Sequence, residues 1–357
     1  MKQIHIKLND ELHQKLSTYC KLNHLSIQDF VESQLFSSLY KSQTPQNAPF
    51  RFIDLFAGIG GIRLPFEELG GQCVFSSEID KFAKTTYQAF YGDVPHGDIT
   101  QIAPSEIPDF DLLLAGFPCQ PFSQAGLKKG FTDTRGTMFF HIEEIIRQKH
   151  PKAFLLENVK GLKGHDKGRT FQTIYDSLTA LGYTVNAKVM AAKDFNLPQN
   201  RERIYIVGFR SAKDAAQFEF PHPLPKTVKV GDILESFPDA KYTISDRLWQ
   251  GHLRRKAEHK QKGNGFGYGL FNAQSEYTNT ISARYYKDGS EILIEQENTN
   301  PRKLTPLEAA RLQGFPDEIV LKARKRGVSD VQLYKQFGNS VAVNVIRSIA
   351  QKIVPLL

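Results

Sequence analysis

Cys119 stands between two prolines, Pro118 and Pro121, just past the apolar run FDLLLAG. The prolines fix the local backbone and keep the thiol out of a helix or a ladder. Two readings are open: a buried structural cysteine, or a nucleophile presented at a strand end. Glu157 ends a second apolar run, KAFLLEN, with Asn158 beside it. Burial at such a position raises a carboxyl pKa, which suits a proton donor working near neutrality. In PQNRERIYIVGF, Gln199, Arg201 and Arg203 alternate at the start of a further strand. Alternation puts both arginines on one face, where they could aim at a common ligand or simply meet solvent. A thiol, a carboxyl and guanidinium groups at strand ends could together carry nucleophilic addition with proton donation.

A second constellation is DLFAGIGG, Asp54 to Gly61, where an apolar strand runs into a glycine-rich turn before a helix. Gly58 and Gly60 would let the backbone approach a ligand closely, and Glu78 follows after the next strand, where a carboxylate can accept from ribose hydroxyls. Asp98, in GDIT, adds a third loop at the same edge. An adenosyl ligand, a dinucleotide and a plain tight turn all remain open from these residues alone.

The elements that must hold these groups are short buried strands alternating with amphipathic helices. RFIDLF, QCVFSS, FDLLLAG, KAFLLEN and RIYIVGF read as strands, and Phe139 to Gln148 and Thr170 to Leu181 as helices. The rhythm predicts an α/β fold with a doubly wound, mostly parallel sheet, interrupted by a smaller insertion. The first part of the sheet domain spans 51–217 and the insertion 218–318. Residues 319–357 complete the sheet domain, where VAVNVIRSIAQKIV can pack back onto it. Ahead lies a small unit, 1–40, and a polar linker, 41–50. In that unit Ile4, Ile6 and Leu8 alternate as a strand. Asn9 or Asp10 can cap one helix and Ser26 a second.

The net charge of +8 suits a polyanionic partner without requiring one. Three cysteines are too few and too scattered for a disulfide framework or a zinc site. With neither a signal-like apolar run nor a stretch approaching a membrane span, a soluble, cytoplasmic chain is expected.

Taken in order, DLFAGIGG, SEID, GDIT, GFPCQPFS, ENV, QNRERIY, RKLTPLEAARLQGFPD and QFGNSV resemble the DNA (cytosine-5)-methyltransferase family over about Arg51 to Leu357. The resemblance implies an S-adenosylmethionine-dependent enzyme acting on double-stranded DNA. By the same resemblance, Cys119 matches the nucleophile that adds to carbon 6 of cytosine. Glu157 matches the group that bonds and protonates nitrogen 3, and Arg203 the donor to the ring carbonyl, with Arg201 supporting. Phe56, Gly58, Ile59, Gly60, Glu78, Ile79, Asp98, Ile99, Pro118, Asn339 and Ser340 match the cofactor pocket. Many members carry tryptophan where this chain has Ile79, which bears on stacking affinity rather than on chemistry. Carbon 6 is unreachable in a stacked duplex, so the cytosine must be flipped out. The glycine-punctuated segment from Gln120 to Phe139 would close over it, with Ser123 and Lys128 as DNA contacts.

The insertion resembles the family's target-recognition domain. Arg254, Arg255, Lys256, Lys260 and Lys262 would meet phosphates, and Arg284, Tyr285 and Tyr286 would approach base edges in a GC-rich palindrome. The N-terminal unit resembles a ribbon-helix-helix module, in which Gln3, His5 and Lys7 would enter a major groove from a dimer. A helical cap without a DNA role is the competing reading. A cognate restriction endonuclease is an expected partner. Rival functions are a tRNA cytosine methyltransferase and a DNA-binding regulator on a dead catalytic fold.

Overall fold

The computed structural model describes residues 7–22, 27, 31, 48–118, 138–263 and 267–357. The first helix, α1 (Asp10–Leu22), begins where Asn9 accepts the Leu12 amide through Oδ1 at 2.8 Å. The strand expected over Ile4 to Leu8 falls largely outside the described residues, and so does most of the helix expected from Ser26.

A six-stranded sheet forms the body. Its strands are β1 (Arg51–Leu55), β2 (Gln72–Ser77), β3 (Leu112–Gly116), β4 (Ala153–Val159), β5 (Thr184–Ala191) and β6 (Glu202–Phe209). They lie in the order β2-β1-β3-β4-β6-β5. β2, β1, β3 and β4 pair in parallel, whereas β6 runs antiparallel to both β4 and β5. The reversal at β6 keeps the sheet mostly parallel, as expected, and β5 is a strand that the apolar runs do not reveal.

Side chains alternate across the sheet, and each face buries its own set. Phe52, Leu112, Leu114, Leu155, Tyr205 and Val207 share one core with Phe66 of α2 (Arg63–Glu68). Val345, Ile346 and Ile349 of α11 (Val343–Ile353) complete that core. Ile53, Leu55, Leu113, Ala115, Leu156 and Ile206 face the other way. They meet Phe139, Ile142 and Ile146 of α4 (Met138–Lys149), and Ile174 and Leu178 of α5 (Arg169–Ala180). The helix α3 (Lys81–Tyr91) follows β2, and α6 (Ala212–Gln217) follows β6.

The insertion begins after α6. It carries one long polar helix, α7 (Asp246–Gln261), and a three-stranded sheet of β7 (Leu270–Phe271), β8 (Leu293–Ile294) and β9 (Arg302–Lys303). Its apolar residues Val230, Ile281, Tyr285, Ile292 and Ile294 join a third core with α8 (Pro306–Gln313), α9 (Glu318–Lys325) and α10 (Asp330–Asn339). The boundary expected near residue 318 thus falls between two helices of one cluster. Of these C-terminal helices, α11 is the one whose described residues join the core on the sheet face. Ile59 and Ala83 also belong to this third core, which therefore extends to the glycine turn and to α3. No helix among the described residues is long and apolar enough to cross a membrane.

Candidate cofactor and base site

The carboxyl ends of β1 to β4 meet along one edge, and the chain leaves β1 through a strained turn. Phe56, Gly58 and Gly60 all have positive φ, at 54°, 56° and 79°. At Gly60 a Cβ would lie 2.2 Å from the Tyr91 ring, and the Tyr91 hydroxyl donates to the Gly60 carbonyl at 2.7 Å. Gly58 faces open space, with no atom within 4 Å of where its Cβ would sit. Its amide donates to Glu78 Oε2 at 2.7 Å, while Glu78 Oε1 accepts from the amides of Ile79 and Asp80 at 2.8 and 2.7 Å. The carboxylate is thereby aimed across the mouth of the turn. Asp80 caps α3 through the amides of Phe82 and Ala83. Its other oxygen meets Lys335 of α10 at 2.6 Å; against the upward push of desolvation, that ammonium and the two capping amides hold the Asp80 carboxyl below its ordinary range.

Beside this turn lies a cavity of about 450 Å³, within the range of small-molecule sites. Phe56, Gly58, Ile59, Glu78 and Ile79 line one end; Pro118, Glu157, Arg201 and Arg203 line the other; Asn339 and Ser340 come from the end of α10. Ile79 leaves most of its side chain exposed at the rim.

At the second end, Glu157 is buried, and its Oε1 lies 3.2 Å from Nε of Arg203. Desolvation pushes its carboxyl up from the usual range, opposed by the charges of Arg203 and then Arg201. Arg203 is further held by donation from Nη1 to the Glu202 carbonyl at 2.8 Å. Asn158 donates from Nδ2 to the Phe117 carbonyl at 3.0 Å, tying the end of β4 to the segment that leaves β3.

Arg201 differs from the sequence expectation. It is 2 % exposed, and its two Nη atoms donate to the carbonyls of Ile281, Gly338 and Ser340. It lines the same cavity as Arg203 but is committed to backbone acceptors instead of being aimed with Arg203 at a shared ligand. Alternation along a strand cannot reveal acceptors brought in from 80 to 139 residues away.

Three expected pocket residues stand off the lining. Gly60 shapes the turn from behind. Asp98 is exposed and caps its own turn through the Thr100 amide at 2.9 Å. Ile99 is buried in the core under the sheet. Cys119, Ser123 and Lys128 lie outside the described residues. Conversely, Asp80, Lys335 and Gln336 line the cavity without having been anticipated. An Asp before KFAKTTY signals a helix cap, whereas nothing local signals Lys335.

Among the expected DNA contacts, Arg254, Arg255, Lys256, Lys260, Lys262 and Arg284 are exposed, and Tyr286 is partly buried. Arg255 pairs with Asp288 at 3.2 Å, and Lys256 lies over the Tyr268 ring at 4.2 Å. Tyr285 requires a correction. It is wholly buried, its hydroxyl donates to the Ile292 carbonyl at 2.6 Å and accepts from the Leu304 amide at 2.7 Å, and so it is a core residue with no face left for DNA.

A mostly parallel sheet with a ligand cavity at its strand ends, a glycine turn after the first strand and a carboxylate after the second defines a Rossmann-like, nucleotide-cofactor-dependent enzyme. Residues 50–355 match the family described as C-5 cytosine-specific DNA methylase. The chain is 65 % identical over 306 residues to the Type II methyltransferase M.NlaX of Neisseria lactamica, covering 85 % of this chain and 96 % of that one. It is 60 % identical over 325 residues to the Type II methyltransferase M1.ScrFI of Lactococcus lactis subsp. cremoris, covering 90 % and 82 %. A crystal structure of the S. pombe Dnmt2 methyltransferase shares the fold, with a TM-score of 0.69 at 23 % identity over 86 % of this chain and 99 % of that one. The chain belongs to the C-5 cytosine DNA methylase family and is an S-adenosylmethionine-dependent DNA (cytosine-5)-methyltransferase.

Proposed function

We propose that the enzyme methylates cytosine within a short, GC-rich palindrome of double-stranded DNA, through a transient bond from Cys119 to carbon 6 of an extruded base. The observation that carries this reading is the buried Glu157, paired with Arg203 on the wall of the cavity at the end that Pro118 also lines. Pro118 is the residue directly before Cys119.

The cavity fits the methyl donor on physical grounds. Gly58 leaves open space, Glu78 offers carboxylate oxygens at the rim, and the end of α10 supplies Asn339 and Ser340. Phe56, Gly58, Ile59, Glu78, Ile79, Asn339 and Ser340 would hold it. When bound, the donor supplies an electrophilic methyl group.

Carbon 5 of cytosine is too weak a nucleophile to take that methyl unaided. Addition of the Cys119 thiolate to carbon 6, with a proton delivered to nitrogen 3 by Glu157, turns carbon 5 into an enamine-like nucleophile. Arg203 would donate to the ring carbonyl and at the same time hold Glu157 in place. The raised pKa of Glu157 keeps more of it protonated, so activity that depends on the acid form falls as pH rises through that pKa. After methylation, transfer of the carbon 5 proton to a general base expels the thiolate, and return of the nitrogen 3 proton to Glu157 restores the neutral ring, the acid and Cys119. The base must leave the stack to reach these groups, which calls for extrusion.

The exposed Arg254, Lys260 and Lys262 would meet phosphates, with Arg284 near base edges, making 218–318 the target-recognition region. Relatives that are Type II methyltransferases support a cognate restriction endonuclease acting at the same site. Residues 1–49 precede the family match. Within them, 1–40 resemble a ribbon-helix-helix module in sequence, which would pair two copies and bind a promoter. A gel-shift panel in which the isolated 1–41 fragment shows no promoter preference would remove that last role.

The experiment for the central reading is adduct trapping. Duplex DNA with 5-fluorocytosine at the site identified by bisulfite sequencing, incubated with methyl donor, should give a covalent, denaturation-resistant complex. Cys119→Ala should give none while still binding the duplex. An active enzyme that yields no adduct would refute the covalent step.

A further inference from the structure

Ile281 gives up both of its backbone groups to side chains of the segment that begins β6. Its amide donates to Gln199 Oε1 at 3.0 Å, and its carbonyl accepts from Arg201 Nη1 at 3.2 Å. The same two side chains reach the far side as well. Gln199 Nε2 donates to the Leu312 carbonyl at 3.1 Å and to Gln313 Oε1 at 3.2 Å, and Gln313 in turn donates to the Phe337 carbonyl at 2.6 Å. Arg201 Nη2 donates to the carbonyls of Gly338 and Ser340.

Backbone contacts reinforce the joint. The Thr278 amide donates to the Pro198 carbonyl and the Asn200 amide to the Thr278 carbonyl, both at 2.8 Å. Gly338 is pressed so closely against Ser282 that a Cβ there would lie 2.2 Å from its carbonyl carbon and oxygen. Holding a guanidinium at 2 % exposure on carbonyl oxygens, with its Nε unpartnered, is expensive in a packed interior. A residue kept in that state is fixing geometry.

The joint lies between three functional parts. On one side, Gly338 to Ser340 line the cofactor cavity. On another, Ser282 leads within two residues to the exposed Arg284. Just ahead of β6, Arg201 is two residues from Arg203, the partner of Glu157. We propose that Gln199 and Arg201 are positioning residues that lock the 278–284 segment to the 338–340 turn, so that bound DNA and bound methyl donor are held in register and each strengthens the other's binding. This rests on the reading of Arg284 and its neighbours as a DNA-contacting segment.

The test measures the dissociation constant of S-adenosylhomocysteine for the full-length protein, alone and with saturating duplex carrying the bisulfite-identified site. The wild type should bind it about tenfold more tightly with DNA, inside the usual span of coupling between sites. Gln199→Ala, outside the cavity lining, should keep the DNA-free constant within about threefold, and Arg201→Lys, which lines the cavity, is read by the ratio of its own two constants. They should lose most of the DNA-linked gain, and single-turnover methyl transfer at saturation should fall by about tenfold or more. Gln199→Ala carries the test if Arg201→Lys does not fold. A coupling ratio and single-turnover rate unchanged in the folded variants, or no coupling in the wild type, would overturn the proposal. Arg284→Ala separates the two readings: unchanged DNA affinity there would reject the DNA-contacting segment itself, whatever the joint does.

Discussion

Asp54, at the head of the glycine turn, is 1 % exposed, and neither carboxylate oxygen has a hydrogen-bond partner. Arg63 is near enough to act on it electrostatically, but its guanidinium is bonded to Glu67, Tyr87 and Asp93. Burial therefore dominates and pushes the Asp54 carboxyl up from 3.8 to about 8. Because the folded pKa is raised, the folded state binds one proton more than the unfolded chain between these values. Its contribution to stability is full below the unfolded pKa and is lost as pH rises through the folded one. At about 1.4 kcal/mol per pH unit, and allowing for partial ionisation near the upper end, the loss between pH 5.5 and 7.5 is about 2.5 kcal/mol. Asp54→Asn keeps the shape and removes the titration. Urea unfolding of both proteins at the two pH values isolates the effect, since every other group titrates alike in each. The wild type should lose about 2.5 kcal/mol more than Asp54→Asn on going to the higher pH. Equal pH dependence in the two proteins would mean that the carboxylate stays ionised in the fold, and the reasoning from desolvation would be wrong.

The glycine turn separates packing from ligand space. Gly60→Ala meets both a φ of +79° and the Tyr91 ring, so its melting temperature should fall well below that of Gly58→Ala, which meets only the strain of a φ of +56°. Gly58→Ala should instead weaken binding of the methyl donor, because its new methyl group enters the cavity; equal losses in the two melts would discard the distinction. In the insertion, Tyr285→Phe should cost roughly 1–3 kcal/mol in unfolding, because the buried Leu304 amide loses its acceptor, with DNA affinity unchanged. Arg254→Ala should leave stability alone and lower the slope of log affinity against log salt by about one. An unaltered salt slope would take Arg254 out of the phosphate contacts.

Legibility in the sequence followed the range of the interactions involved. β3 and β4 were visible because both faces are buried and the runs open continuously apolar, and β1 because only Asp54 interrupts its buried apolar run. β5 was not: it is an edge strand in which Val185, Ala187 and Val189 alternate with Asn186 and Lys188, a period-2 signal unlike the continuous apolar runs of its neighbours. The glycine turn and Glu78 could be read because the motif is local and its parts lie within one β-α-β unit. Tyr285 was misjudged because the partners of its hydroxyl, Ile292 and Leu304, lie on other segments, and nothing in SARYYKDGS announces them. Lys335 was missed for the same reason, being paired with an aspartate 255 residues away.

The reversal of β6 is the feature on which the site's geometry turns. In an all-parallel sheet the residues that begin a strand lie at the edge opposite those that end its neighbour, so Arg203 and Glu157 would be separated by the length of the sheet. Running β6 antiparallel to β4 sets Val159 opposite Arg203 and Glu157 opposite Tyr205, which places the guanidinium beside the carboxyl at the edge where the cavity opens. The β5–β6 hairpin then brings the connection carrying Gln199 and Arg201 to the same edge, within reach of the insertion and of α10. One change of strand direction thus places the arginine beside the acid it pairs with and brings Arg201 within reach of both the Ile281 and the Gly338 carbonyls. A parallel β6 with the same residues would do neither.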